Sequence, residues 1–179
     1  MRSKDIHVLH IDRVTHTDKN GNILWSAEGI DNMLHDEGEM AILSAYFATG
    51  LAGYGAPPAN LYFGLDARTT LVEADNLAAL VGEVTTTSGY ARQAVATTEA
   101  GTSGAAFYIN QPAAYYRADS KTVTFTASGA AWPAVKNLFL CTVSAGSTGK
   151  LISSLALTAD RTLQDGDSLN ASMYLGLSE

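Results

Sequence analysis

Charge, cysteine and long apolar runs are all scarce in this chain of 179 residues. Charged residues make up 16 % of the sequence, against about a quarter in typical globular proteins. The surface must therefore consist largely of Thr, Ser, Ala, Asn and Gly, which suits a protein that packs against neighbours. Hydrophobic residues make up 46 %, a normal fraction, and the length fits one domain with or without an appendage.

The single cysteine, Cys141, excludes an intrachain disulfide bond. It lies in the apolar run 138–141, so we expect a small, buried side chain. No uncharged apolar run approaches the roughly 20 residues that a membrane-spanning helix needs, and the first residues do not look like a signal peptide. We therefore expect a protein that is made in the cytoplasm, stays soluble and makes no membrane contact.

Positive charge is also scarce, since 11 Lys and Arg stand against 18 Asp and Glu and give a net charge of −7. Nucleic-acid binding takes most of its affinity from basic side chains that displace counterions from phosphates. The basic residues after position 46 stand singly and form no stripe. The sequence therefore argues against nucleic acid as a partner.

The first 34 residues predict an N-terminal hairpin. Residues 6–11 and 22–25 have strand character, and Asn20-Gly21 between them tolerates positive φ at both central positions of a tight turn. A hairpin alone is marginal in water, so it must lie on the rest of its chain or on another subunit. We expect an arm that contacts another chain. Its candidate interface residues are Ile6, Val8, Ile11, Ile23 and Trp25.

One amphipathic helix is predicted after residue 35, ending near Gly50. Asp36 and Glu39 have the spacing of a capping box, in which each side chain binds the backbone N–H of the other residue. An apolar stripe follows at spacings of three and four residues, and we expect this face to be buried. The stripe consists of Met40, Leu43 and Phe47.

From about residue 60 the chain has the pattern of short strands separated by Gly- and Ser-rich breaks. Asp75 and Asn76 can cap one further helical turn, which runs through Leu77, Leu80 and Val81. Strands at this spacing predict a mainly β protein with an antiparallel β-sandwich or jelly-roll-like body. We divide the chain into a hairpin arm, 1–34, and a helix-plus-sandwich domain, 35–179. The candidate strands are 61–65, 91–96, 105–110, 122–127, 138–143, 151–157 and 169–177.

Two segments match sequence motifs of known enzymes, but each lacks another residue that the chemistry of its motif requires. Gly166-Asp167-Ser168-Leu169 matches the tetrapeptide of the GDSL esterases, but no histidine follows it to act as the base. Residues 144–150 end in Gly-Lys as a phosphate-binding loop does, but Leu151 stands where a Ser or Thr should bind magnesium. We expect turns at both places and no catalytic residues.

Candidate metal ligands and sugar-stacking aromatics are isolated in the sequence. His7 and His10 on one strand would point to opposite faces. The carboxylates between residues 31 and 39 lack the spacing of a calcium loop. We therefore expect no metal and no cofactor. Tyr115-Tyr116 and Trp132-Pro133 could form a sugar-stacking surface, although aromatics in sandwich strands more often belong to the core.

Five short motifs follow one another from residue 32 to the last strand. They are N-x-L-x-x-E-G-E at 32–39, P-x-N-x-Y-x-G-L at 58–65, G-Y-x-R-Q at 89–93, V-T-F-T with W-P-x-V at 123–135, and G-D-S-L-N at 166–170. In this order they resemble a family of uncharacterised structural proteins of tailed bacteriophages. The resemblance implies a virion protein concerned with assembly, and it carries no catalytic residues.

Two functional hypotheses follow from this resemblance, and a third belongs to a different class of protein. The first is a capsid decoration, or cement, protein that binds copies of itself and the major capsid protein. The second is a tail or fibre-attachment component that binds tail proteins and contacts a host surface glycan. The third is a carbohydrate-active enzyme or lectin-like module, whose carboxylates would meet only in space. Copy number in purified particles separates the first two, and turnover of host polysaccharide would favour the third.

Overall fold

The computed structural model describes residues 7–47, 57–85, 88–97, 106–111 and 116–177. The strands in these ranges are β1 (His7–Thr17), β2 (Ile23–Asp31), β3 (Met33–Leu34), β4 (Asn60–Asp66), β5 (Gln93–Ala96), β6 (Tyr108–Asn110), β7 (Arg117–Asp119), β8 (Val123–Thr126), β9 (Val135–Cys141), β10 (Leu151–Arg161) and β11 (Ser168–Leu177). The helix α1 spans Asp36–Phe47, and a 3-10 turn spans Leu77–Ala79 with Asn76 as its N-cap.

Two antiparallel sheets form the body, which confirms the predicted sandwich-like, mainly β fold. The first sheet has the order β2-β1-β11-β7-β6, and the second has the order β3-β10-β9-β4-β5. In the first sheet, β11 pairs with β1 along one side. Its other side is shared, since residues 168–171 pair with β8 and residues 174–176 pair with β7. The last strand of the chain is thus the centre of the first sheet.

The predicted hairpin turn is present between β1 and β2. The backbone N–H of Gly21 donates to the carbonyl of Asp18 at 3.0 Å, and the Asp18 carboxylate accepts the N–H groups of Asn20 and Asn22, each at 2.8 Å. Only Gly21 has positive φ, at 84°, so the prediction for Asn20 is wrong. The reason is that the connection is longer than two residues, and one glycine at its end suffices to reverse the chain.

The hairpin of β1 and β2 is paired with another strand of its own chain. β1 pairs with β11 from His7 to Thr17, and Ile11 and Val14 belong to the core, with 2 % and 0 % of their surfaces exposed. The hairpin therefore lies on its own chain and forms one edge of the first sheet. The division of the chain at residue 34 stays a prediction.

The second sheet is covered on both faces. The main core lies between the sheets and includes Ile11, Val14, Phe125, Leu169 and Met173 from the first and Phe63, Leu65, Val95, Leu138, Leu140 and Leu155 from the second. On the other face, Leu71, Leu77 and Leu80 pack against Phe139, Cys141 and Leu151. Alternate residues of β9 therefore point into different cores, and the predicted burial of Cys141 is confirmed at 0 % exposure.

The helix packs on β10 with a face different from the one predicted. Met40 is 41 % exposed and Leu43 is 50 % exposed, while the side chain of Phe47, like Gly50, lies outside the description. The residues that face the sheet are Gly38, Ala41 and Ser44. A Cβ on Gly38 would lie 2.2 Å from the carbonyl oxygen of Ile152. Close approach of the backbones, which only small residues permit, decides the packed face.

The start of the helix also differs from the prediction. The helix begins at Asp36, and the N–H groups of Gly38 and Glu39 donate to the carbonyl of His35 at 2.7 and 2.9 Å. His35 therefore occupies the cap position and Asp36 is already helical. The capping role predicted for Asp36 is wrong, because the chain enters the helix one residue earlier.

We expect Gly38→Ala to lower the free energy of unfolding by about 1–3 kcal/mol, since the new Cβ overpacks the contact with Ile152. Leu43→Ala is the matched control on the exposed face, and it should cost no more than about 1 kcal/mol. Urea unfolding of both variants measures the difference. A larger loss for Leu43→Ala would mean that the helix packs through the apolar stripe instead.

Candidate functional site

An ion pair between the buried Arg92 and the partly buried Glu83 lies beside the outer face of β9. Nε and Nη2 of Arg92 each donate to a different carboxylate oxygen of Glu83, both at 2.7 Å. The Tyr90 hydroxyl donates to the same carboxylate at 2.9 Å and accepts the N–H of Leu65 at 2.9 Å. Burial, together with the adjacent Glu83, raises the pKa of Tyr90. The hydroxyl therefore stays protonated and acts as a donor.

The remaining donors of Arg92 bind the loop that follows β9. Nη1 donates to the carbonyl of Val143 at 3.0 Å, and Nη2 donates to that of Gly146 at 2.9 Å. The guanidinium also lies 5.3 Å from the centre of the Phe139 ring. With only 3 % of the side chain exposed, Arg92 joins the segment before β5 to the β9–β10 loop. Its donors are used within the fold.

The N-terminal motif joins the helix to the start of β10. The Glu37 carboxylate accepts the backbone N–H of Leu151 at 2.9 Å and the Lys150 ammonium at 3.2 Å. Lys150 is the lysine of the segment that resembles a phosphate-binding loop. That segment connects paired strands β9 and β10, so the expected hairpin loop is confirmed and its lysine neutralises a helix carboxylate.

Two further motif residues take part in aromatic packing: a glycine that leaves space for a ring, and a buried tryptophan. A Cβ on Gly64 would lie 2.1 Å from Cζ of Phe139, so the ring lies directly on the backbone of β4. Trp132 is 2 % exposed, its Nε1 donates to the carbonyl of Ser88 at 2.8 Å, and its ring meets Tyr90 edge-on at 5.6 Å. Trp132 is therefore a core residue and offers no sugar-stacking surface.

The segment that resembles an esterase motif forms the predicted turn before β11. The Asp167 N–H donates to the carbonyl of Gln164 at 2.9 Å, and the buried Asp167 carboxylate lies 3.2 Å from Nε2 of His16. Side chains alternate along a strand, so Ser168 points to the other face. There its hydroxyl lies 2.9 Å from that of Thr126. His16 and Asp167 are thus turned away from Ser168.

His35 is buried where the helix, the segment before the 3-10 turn and β10 meet. Nδ1 lies 3.0 Å from the carbonyl of Glu73, and Nε2 lies 2.8 Å from the hydroxyl of Ser154. A carbonyl only accepts, so Nδ1 carries the proton and the neutral ring accepts from Ser154. Burial lowers the pKa of His35 and outweighs the carboxylates of Asp75 and Asp36, which raise it.

A cavity of about 460 Å³ opens where the chain crosses from the first sheet to the second. Its lining consists of Asp31, Asn32, Met33, Thr69, Thr70, Leu71, Asn137, Ser154 and Ala156. One carboxylate, amides and hydroxyls meet there, but the lining contains no cysteine or histidine, and the Ser154 hydroxyl already binds His35.

The predicted interface residues occupy different environments. Ile11 is 2 % exposed in the core, Ile23 is 62 % exposed and Trp25 is half-buried. Ile6 lies outside the described residues, and Val8 lies on β1 with its side chain outside the description. The structure therefore offers Ile23 and Trp25, and not Ile11, at the surface of the hairpin.

Other predicted contacts are only partly described. Tyr116 is 62 % exposed, while Tyr115 lies outside the description, and His7 and His10 lie on β1 with undescribed side chains. In the ranges that the structure covers, no three His, Cys, Asp or Glu side chains are grouped so that they could hold a metal ion. No helix in those ranges has the length and apolar character needed to cross a bilayer.

A comparison with protein families identifies the chain. Residues 34–174 match the family described as Podophage GP4 fiber I protein gp80, which is well over half of the sequence. The chain belongs to this gp80 family. No curated protein and no solved structure matches it.

Membership of the gp80 family confirms the resemblance to structural proteins of tailed phages, and this protein is a virion structural protein. The family description favours the tail or fibre hypothesis over capsid decoration, our first hypothesis. The match begins at residue 34, so the hairpin of β1 and β2 lies outside it. The motifs that carried the resemblance hold the gp80-family body together.

Glu83 is the residue that sequence analysis missed. Its carboxylate accepts hydrogen bonds from both Tyr90 and Arg92. In the sequence, however, Glu83 belongs to no recognisable motif. The only available signal was that a tyrosine and an arginine in one short motif need an acceptor when they are buried. Nothing in the spacing identifies which carboxylate supplies it.

We expect Arg92→Met to lower the free energy of unfolding by about 3–5 kcal/mol, because it leaves the Glu83 carboxylate without its buried partner. Arg13→Met is the matched control. Arg13 pairs with Glu28 at 3.0 Å with both side chains more than half exposed, so its loss should cost less than about 1 kcal/mol. Denaturant unfolding compares the two variants, and equal losses would contradict the anchoring role of Arg92.

We also expect the His35 environment to make stability depend on pH. The lowered pKa means that the folded state binds fewer protons at His35 than the unfolded chain, whose histidine pKa is near 6.5. This stability is present above about pH 6.5 and is lost as the pH falls toward the folded-state pKa. From about pH 7 to 5, the free energy of unfolding of the wild type should fall more steeply than that of His35→Gln. Parallel curves would show that His35 contributes no such dependence.

Proposed function

We propose that this protein is a non-catalytic structural component of the tail or fibre-attachment apparatus of a tailed phage. The observation that carries the proposal is the match of residues 34–174 to a fibre protein family. The buried network around Arg92 supports it, because a body fixed by such contacts keeps its shape when it transmits load between neighbours. Capsid decoration, the first hypothesis from the sequence, has no comparable support.

The absence of catalysis in this proposal is supported by the placement of Ser168. The nearest histidine–carboxylate pair, His16 and Asp167, lies on the buried face of the first sheet, while the Ser168 hydroxyl contacts Thr126 on the other face. A serine without an adjacent base remains a weak nucleophile. Ser168 acts in this proposal as part of a strand.

The proposed partners are tail proteins and other copies of this chain. The hairpin is the proposed contact region, because β2 carries Ile23, Leu24 and Trp25 at the edge of the body, with Ile23 and Leu24 62 % and 55 % exposed. Exposed aliphatic side chains next to an aromatic one are typical of residues that become buried when subunits assemble.

The test is to locate and count the protein in purified particles. Immunogold labelling should place it at the tail, and quantitative mass spectrometry should find about six or twelve copies, as the symmetry of a tail requires. The major capsid protein in the same sample is the internal standard. Labelling across the shell, with copy numbers near that of the capsid protein, would contradict the proposal and favour decoration.

A further inference from the structure

The outer edge of β2 is a long unpaired strand edge. β2 has nine residues, whereas β3, β5, β6 and β8, which each pair with one strand, have two, four, three and four. Among the described strands β10 also has a long free edge, because β3 pairs with its residues 153 and 154 alone. Within the described ranges, β2 pairs with β1 and with no other strand. A long unpaired edge is a template for another strand, and monomeric proteins usually keep such edges short or block them.

The first part of this edge lacks the features that block pairing. Residues 23–27 contain no proline and no charged side chain, and Ile23 and Leu24 are 62 % and 55 % exposed. The first charged residue is Glu28, whose side chain pairs with Arg13 of β1. Gly29 has a φ of 61°, so the regular edge available for pairing is the segment from Ile23 to Glu28.

We propose that this edge pairs with β2 of a second copy, antiparallel, so that the two six-stranded sheets become one continuous sheet. The partner follows from symmetry, because two copies can pair through the same edge without a second complementary surface. The inference rests on the proposed function, which it deepens by naming a partner for the hairpin.

The charges on the edge exclude a register centred on Glu28 and are compatible with one centred on Ser26. When the two-fold axis passes through Ser26, Glu28 lies opposite Leu24 of the other copy, and the two Glu28 carboxylates stay apart. An axis at Glu28 would place them directly opposite each other, which destabilises a strand pair. The Ser26 register pairs residues 24–28 of one copy with the same residues of the other, all of which precede Gly29.

An aromatic residue lies near the centre of the paired segment. Trp25 is half-buried against the core, and the Arg161 guanidinium lies 5.0 Å from its ring centre. Its orientation is thus held by its own chain, so little side-chain freedom remains to be lost on pairing. Leu24 and Ile23, which are now exposed, would supply the apolar surface that is newly buried.

Sedimentation equilibrium of the full chain tests the pairing. The wild type should show a species of twice the 18.8 kDa chain mass. Ser26→Lys should raise the dimer dissociation constant by about tenfold or more, because in the Ser26 register it places two ammonium groups directly opposite each other. Leu24→Glu is a second variant, since it places a carboxylate opposite Glu28 of the other copy, and circular dichroism verifies that both fold.

The matched controls place the same charge elsewhere. Val81, 86 % exposed, lies outside the sheets, and Ile109, 69 % exposed, lies on the edge strand β6. Val81→Lys and Ile109→Lys should leave the dissociation constant unchanged. Dissociation caused by Ile109→Lys would overturn the proposal, because it would mean that β6 takes part in the contact.

Cross-linking tests the register directly. In the Ser26 register, Ser26→Cys brings two thiols opposite each other at a Cα separation that a disulfide bond accepts, so mild oxidation should yield a covalent dimer. Ser147→Cys, on the exposed β9–β10 loop, is the control, and Cys141 is fully buried in both. Equal cross-linking of the two variants would contradict the register.

The outcomes separate this inference from the proposed function. A wild-type chain that stays monomeric at every concentration tested, yet is located at the tail, overturns the β2 pairing and leaves the function standing. A dimer that depends on Leu24, in a protein found across the capsid shell, supports the pairing and contradicts the function.

Discussion

The antiparallel pairing of β11 with β1 joins the two ends of the chain and organises the first sheet. Through its other side β11 also holds β7 and β8, so the removal of either β1 or β11 would open the main core. The paired residues are separated by most of the sequence, as His7 and Leu177 are. Such long-range pairing requires loop closure before it is stabilised, and we expect this sheet to form late in folding.

Polar contacts attach the segments that cover the outer face of the second sheet. Its outer face is covered by the segment before β5 and by the helix, neither of which is a regular layer. Arg92, Glu83 and His35 attach these segments, and each satisfies its hydrogen bonds inside the protein. Buried polar groups of this kind add little net stability, but losing one partner is costly. They define one arrangement of the covering segments.

Local patterns were sufficient for most of the strands. The strict alternation at 122–126 appears as β8, and the apolar runs near residues 61, 138 and 151 appear as β4, β9 and β10. β7 was missed, because three residues, Arg117 to Asp119, are too few for a periodic signal. The buried face of the helix was predicted wrongly, since an apolar stripe was weighed above the close approach that Gly38 permits.

The sequence by itself determined the fold class, the hairpin turn, the burial of Cys141 and the resemblance to phage structural proteins, because these depend on patterns between neighbouring residues. Only the tertiary structure decided that β1 pairs with β11, that Glu83 serves both Tyr90 and Arg92, and that Ser168 faces away from His16. These contacts join residues that are distant in the chain or lie on opposite sides of a strand. Which residues meet in these contacts depends on how the two sheets pack, and no local sequence pattern encodes that packing.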